Sequence, residues 1–130
     1  MATKKWAANA VMNAALNVVK GSGTHIYVVT ASCSDPPTYN EVASTQALTG
    51  ATALLTGSIT SGDVSGRKVP INAHNSISVT ASGTAAGVAI VRSSTSAVLY
   101  TTLLSTPVAV TSGGTINVAA WDITIADPTV

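Results

Sequence analysis

Residues 116–130 read INVAAWDITIADPTV, and their apolar positions change parity halfway along. The even-numbered apolar residues are Ile116, Val118 and Ala120, and the odd-numbered ones are Trp121, Ile123 and Ile125. Because successive side chains of a strand point to opposite faces of a sheet, this change requires a local irregularity. We predict a bulge or sharp bend at residues 119–121, where the strand bends or passes between sheets, with Trp121 filling the corner. The alternative is an ordinary strand end at which Ala120 faces solvent.

The composition is that of a β protein with few charges. Hydrophobic residues make up 46% of the 130-residue chain and aromatic residues only 4%, so the core must be built from aliphatic side chains. Charged residues make up 8%, against about 25% in a typical soluble domain. From Thr24 onward, strand-like segments recur roughly every 8–12 residues, as in a sandwich or small barrel. We predict one mainly β domain, with an N-terminal α-helix in residues 1–22 and an antiparallel, jelly-roll-like β-sandwich in residues 23–130.

The segment TKKWAANAVMNAALNVVKGSG, residues 3–23, gives the strongest helical signal. Thr3 is the predicted N-cap and Gly21 the predicted C-terminal stop. One stripe is polar and contains Lys5, Asn9, Asn13 and Asn17. Apolar residues cover most of the remaining surface, which suits packing on a sheet or on a partner. The candidate interface residues on this face are Trp6, Val11, Leu16 and Val18.

The charge pattern argues against nucleic acid as a partner, and the length of the apolar segments argues against a membrane. The net charge is only +1 and the basic residues are scattered, whereas nucleic-acid binding needs a concentrated basic patch. No segment reaches the roughly 20 apolar residues needed to span a bilayer. The N-terminal lysines followed by apolar residues also suggest a secretion signal. However, three asparagines interrupt that stretch and no convincing cleavage site follows it, so we expect no signal peptide.

Residue chemistry suggests no catalytic, cofactor or metal site. His25, in a predicted strand, and His74, in a predicted turn, have no nearby metal-ligand partners in sequence, so we expect structural or solvent-facing histidines. Cys33 is the single cysteine, which excludes an internal disulfide, and we expect it to pack as a small apolar residue. The serines form no G-x-S-x-G motif. Asp122 is expected to accept hydrogen bonds from a neighbouring turn. We therefore expect a protein that is not an enzyme.

Several strands can be placed from their periodicity. The segment AGVAIV, residues 86–91, is almost continuously apolar, which predicts a central strand covered on both faces. AVLYTTLL, residues 97–104, and PVAVT, residues 107–111, are predicted as two separate strands. QALTGATALLTGSIT, residues 46–60, has mixed periodicity and gives no clear assignment.

Longer stretches of the chain resemble a family of small virion structural proteins of tailed bacteriophages. The resemblance is carried by SGDVSGRKVPINA (61–73), SISVTASGTAAGVAIV (76–91) and AVLYTTLLSTPVAVTSGGTINVAAWDITIADPT (97–129). SDPPTYNEVAST (34–45) resembles a further family element, and the leading helix resembles the family's N-terminal region. The combination of TSGG with AWDITIADP is the most specific part. The sequence departs from the family pattern at Ala86-Gly87 and at Thr124.

The resemblance implies a capsid decoration or cement protein, made in the host cytoplasm and located on the surface of the phage head. Its expected partners are the major capsid protein and further copies of itself in a homo-oligomer, with a trimer as one candidate. The alternative is a host-receptor or carbohydrate-binding module of a tail or head fibre. In that case Tyr27, Tyr39 and Tyr100 are candidate sugar contacts, although partly buried strand or loop positions also explain these tyrosines.

Overall fold

The computed structural model describes residues 8–62 and 66–126. Within these residues the fold is mainly β and antiparallel with one α-helix, as predicted, and its strands form three sheets. The helix is α1 Asn9–Ser22, and the strands are β1 His25–Val29, β2 Thr52–Ala53, β3 Thr60–Ser61, β4 Arg67–Ile71, β5 His74–Ser78, β6 Gly83–Arg92, β7 Ala97–Val110, β8 Thr115–Val118 and β9 Trp121–Ile125. A π-helical turn at Glu41–Thr45 and a 3₁₀ turn at Ser93–Thr95 lie between strands.

The largest sheet has the strand order β2-β1-β6-β7. Residues 85–91 of β6 are all buried, which confirms the prediction of a central strand covered on both faces. Its neighbour β7 is one continuous strand and not the two predicted separately. The pairing of β6 with β7 shifts twice. Between Ile90 and Val91 the extra residue of β7 is Leu99, and between Ala85 and Gly87 residues 104–107 of β7 lie in a bulge. The bulge includes Pro107, whose missing N–H prevents regular pairing at this point.

The opening sequence belongs to a long two-stranded ribbon that bends in the middle. On one side of the bend β4 pairs with β9, and on the other β5 pairs with β8, so the chain changes sheets at residues 119–120. Ile71 faces Trp121 before the bend and His74 faces Val118 after it, which means that the register does not change. The predicted irregularity at residues 119–121 is therefore a change of sheets without a bulge, and both strands change parity at it together. Ala120 is exposed, as the alternative expected.

The bulge itself lies further along the ribbon, in β5. Between His74 and Ile77 the register shifts, so that two residues of β5 oppose only Asn117 of β8. Ser76 has the left-handed φ of 55°, and its backbone N–H donates to Asn117 Oδ1 at 2.7 Å. The side-chain amide of Asn117 thus takes the place of a backbone acceptor at the bulge.

Two buried clusters fill the space between the large sheet and the bent ribbon. The ribbon cluster contains Ile26, Val28, Leu48, Ile77, Ala85, Val88 and Val118. The helix cluster contains Leu16, Val19, Val69, Ile71, Ile90 and Ile123. Trp121 is half-buried and packs against both clusters, next to the point where the chain changes sheets.

A third cluster covers the opposite face of β1 and β6. This outer cluster contains Tyr27, Val29, Val42, Ala89 and Val91. The segment between β1 and β2, including the π-helical turn, packs against it through Cys33, Tyr39 and Ala47. Because alternate residues of β6 belong to clusters on opposite faces, the strand is apolar at almost every position.

The helix packs on the ribbon through a narrower stripe than the sequence indicated. Its buried residues are Met12, Leu16 and Val19, which are spaced by four and three positions. Leu16 was expected on an interface, but it is 1% exposed and lies inside the helix cluster. A helix that rests on a sheet buries only the side chains on one arc of its circumference, and Leu16 lies on that arc.

The ends of the helix also differ from the sequence expectation. Thr3 and Trp6 lie outside the described residues. At the other end the helix continues through Gly21 to Ser22, and Gly23 is the C-cap, with its N–H donating to Val19 O at 2.8 Å. A Cβ at Gly23 would collide with the carbonyl of Val19 and the side chain of Leu54. The requirement for glycine therefore comes from close packing at position 23.

Candidate binding surfaces

The outward face of α1 is the first candidate surface. Val11 and Val18 are 64% and 51% exposed, and they lie seven residues apart on the same side of the helix. Ala14 and Ala15, between them, are also exposed. Two of the four predicted interface residues therefore form an apolar stripe that the other described residues do not cover. We call Val11, Ala14, Ala15 and Val18 the helix stripe.

The second candidate surface is the free edge of β7. This strand is the last in its sheet, and none of the other described strands pairs with its outer side. Leu103 is 82% exposed and Val108 is 46% exposed. Sequence reasoning identified strands here but did not recognise an exposed edge, because position within a sheet depends on pairing with distant residues.

Asp122, at the corner, forms an ion pair and not the expected hydrogen bonds from a turn. Its Oδ2 lies 3.3 Å from Lys68 Nζ on the neighbouring strand β4. Lys68 faces Thr124 and Asp122 faces Pro70 in the β4–β9 pairing, so the ion pair is diagonal across the two strands. Both side chains are partly exposed, which limits the contribution of this pair to stability.

His74 is the one strongly buried titratable side chain in the bend, and the turn predicted for it is wrong. It is the first residue of β5 and is 3% exposed. Its Nε2 accepts a hydrogen bond from the Leu55 backbone N–H at 3.1 Å. Among the described residues, His74 Nδ1 and Trp121 Nε1 are buried nitrogens without a hydrogen-bond acceptor. The role of His74 here is structural, because it holds the segment after β2 against β5.

Glu41 organises the segment that covers the outer cluster. The Glu41 carboxylate accepts hydrogen bonds from the backbone N–H and hydroxyl of both Ser34 and Thr38, at 2.9 to 3.1 Å. The Glu41 N–H donates in return to Thr38 Oγ1 at 3.2 Å, which completes a capping box. These bonds, led by those from the Thr38 and Ser34 backbone, lower the pKa of Glu41 from 4.5 to about 2. The spacing Thr-x-x-Glu in TYNE, residues 38–41, is a sequence signal that could have indicated this motif.

The remaining chemically distinctive residues are mainly packing residues. Tyr27 is 7% exposed, and burial raises the pKa of its phenol. Tyr39 and Tyr100 are half-buried and pack against the outer and helix clusters, which confirms the interpretation of the tyrosines as partly buried. Cys33 is a partly buried free thiol, and burial, followed by the charge of Glu41, raises its pKa.

A neutral cavity of about 520 Å³ lies between β2 and β5. Its polar lining comes mostly from hydroxyl and amide side chains, namely Thr52, Asn75, Ser76, Ser78 and Thr80, with His74 as the one titratable group. Within residues 8–62 and 66–126 there is no group of three or more potential metal-ligating side chains. Across the same ranges, no helix is long and apolar enough to cross a membrane.

No family model, curated protein or solved structure matches this chain.

Proposed function

We propose that this protein is a structural virion protein, a capsid decoration or cement protein that binds the major capsid protein and stabilises a phage head. It would be made in the host cytoplasm and would act on the capsid surface as a homo-oligomer. In this proposal its role is adhesive and not enzymatic. The support comes from the resemblance over residues 61–129 and from uncharged apolar surface that is exposed among residues 8–62 and 66–126.

The proposed architecture is an antiparallel β-sandwich of the jelly-roll kind. The four-stranded sheet forms one layer, and the bent ribbon with β3 forms the other. The ribbon and helix clusters lie between the layers. The bend in the ribbon is the feature expected where strands pass around the corner of a sandwich.

The helix stripe is the observation that carries the functional proposal. Val11 and Val18 project from a helix whose one charged residue between positions 9 and 22 is Lys20. Burying two half-exposed valines against a partner would contribute on the order of 1 kcal/mol each. A contribution of this size is modest for one copy, but many copies acting on one shell give strong overall attachment.

Purified protein added to capsid shells that lack it provides the test. We expect the protein to co-sediment with the shells and to raise the temperature at which they lose their contents. The variant Val11→Asp/Val18→Asp should bind at least tenfold more weakly, because it places two carboxylates in the contact. Asn9→Asp/Asn17→Asp is the matched control, since it adds the same charge to the same helix outside the helix stripe.

Binding by the wild type and the control but not by the valine variant would support the proposal. Circular dichroism of both variants must match the wild type, which is expected because all four positions are exposed. Failure of the wild-type protein to bind shells, or equal binding by the two variants, would contradict it.

The cavity between β2 and β5 favours a second candidate, a receptor- or carbohydrate-binding module of a tail or head fibre. Hydroxyl and amide groups without charge suit a neutral sugar better than an ionic ligand. A glycan array tests this candidate, and cryo-electron microscopy of the particle separates the two. Copies over the whole shell favour decoration, whereas copies at the tail tip or on fibres favour receptor binding.

A further inference from the structure

The free edge of β7 is a second exposed feature that the shell contact does not require. β7 has 14 residues and pairs with β6 on one side. Within the described residues no strand covers its other side, although α1 lies near one face and Pro36 and Pro37 border the other. The backbone N–H and C=O groups that point outward along this edge are therefore available for pairing.

The two halves of this edge differ in their protection against pairing with another strand. Natural edge strands are guarded by charges, prolines, bulges or short length. In β7 the bulge and Pro107 protect the far half. Residues 97–103, AVLYTTL, contain no charge and no proline, and they end at the highly exposed Leu103. Their pairing with β6 is interrupted only by the one extra residue Leu99.

We propose that β7 pairs antiparallel with β7 of a second copy of this chain, so that the two four-stranded sheets form one continuous sheet. A two-fold axis makes such pairing self-complementary, because each strand offers the other the same groups. A second strand of the same neutral sequence brings no charge into the contact. A charged partner strand would leave its charges there without partners. The second copy is for these reasons the occupant that fits the edge.

The other sheet edges are too short to compete with β7. β2 and β3 have two residues each, and β5, β8 and β9 have four or five. A head-to-tail ring would have to use one of these short edges against β7. Pairing of β7 with itself uses the longest edge twice, so the assembly closes at two chains and not three.

The size of the contact indicates how stable this dimer would be. If all fourteen residues of β7 paired, the protected half included, they would give a strip about 48 Å long at about 3.4 Å each, which is the upper limit. A strip of this length and roughly 10 Å deep buries on the order of 1,000 Å² over both copies, the lower limit for a specific interface. Pairing of residues 97–103 alone would bury about half as much. We therefore expect a dimer that dissociates on dilution.

Light scattering on the purified protein, without shells, tests this proposal separately from the proposed function. We expect twice the 12.9 kDa chain mass at high concentration and the single-chain mass on dilution. Thr101→Lys/Leu103→Lys should give the single-chain mass at every concentration, because lysines on the edge repel across the two-fold axis. Thr95→Lys/Ser94→Lys, in the exposed 3₁₀ turn, is the control with the same added charge and should keep the dimer.

Amide hydrogen exchange gives an independent measurement on the wild-type chain. Alternate amides of residues 97–103 point away from β6 and should become protected as concentration rises, while the exposed turn at Ser93–Thr95 should not change. A single-chain mass of the wild type at all concentrations, a three-chain mass, or a dimer unaffected by the lysine variant would each overturn the proposal. The shell-binding result has no influence on any of these outcomes.

Discussion

β6 and β7 are neighbours in one sheet and have similarly apolar sequences, yet their surroundings are opposite. Seven consecutive residues of β6 are buried, whereas Leu103 in β7 is 82% exposed. The difference follows from position, because β6 has strands on both sides and clusters on both faces, while β7 is an edge. An apolar sequence therefore does not by itself show that a strand is internal, and an apolar strand left at an edge is suited to meet a partner.

The largest expected effect tests the buried side of this comparison. Ile90→Ala in β6 removes a side chain that is 0% exposed and belongs to the helix cluster. We expect the free energy of unfolding to fall by about 2–5 kcal/mol, as is typical when a large core side chain is truncated. Urea denaturation measures this change. A loss below about 1 kcal/mol would show that β6 is less central than its burial indicates.

The next effect concerns the buried polar residue in the bend. His74→Ala leaves the Leu55 N–H without its acceptor, which should cost about 1–3 kcal/mol. His25→Ala is the matched control, because the ring of His25 is partly exposed and its hydrogen bond within the described residues is to the side chain of the adjacent Thr24. Equal losses in the two variants would contradict the structural role given to His74.

A smaller, pH-dependent effect is expected from Glu41, in the segment that covers the outer cluster. The folded-state pKa of Glu41 is about 2, below its ordinary value of 4.5, so its contribution to stability is fully present above pH 4.5 and is lost as the pH falls towards 2. Glu41→Gln should remove this part of the acid dependence and leave a flatter stability profile over that interval. Thermal unfolding at several pH values measures this pH dependence. An unchanged profile would show that Glu41 does not stabilise the segment over the outer cluster.

The smallest effect is predicted on the exposed side of the comparison. Leu103→Ala should change the free energy of unfolding by no more than about 0.5 kcal/mol when measured on dilute, single-chain protein. The same substitution should weaken the association proposed for β7. A large loss of stability in dilute protein would mean that Leu103 belongs to the core and that β7 is not a true edge.

The features that the sequence predicted correctly depend on local periodicity. The parity change before Trp121 located the bend, and the apolar run at residues 86–91 identified the central strand. Both signals arise because side-chain direction alternates along a strand, whatever the strand pairs with.

The errors depend on contacts between distant residues. The sequence could not show which arc of α1 rests on the ribbon, so it grouped buried Leu16 with exposed Val11. It placed His74 in a turn, because the pairing of His74 with Val118 joins residues 44 positions apart. For the same reason it divided β7 into two strands and did not identify its free edge.

The position of Trp121 has a consequence for how the domain unfolds. One indole touches both the ribbon cluster and the helix cluster, and both clusters include residues of the bent ribbon and of β6. Disruption of either cluster would remove contacts from the other, so the two should unfold together in one cooperative transition. A change in the fluorescence of this tryptophan would then report the loss of both halves of the interior at once.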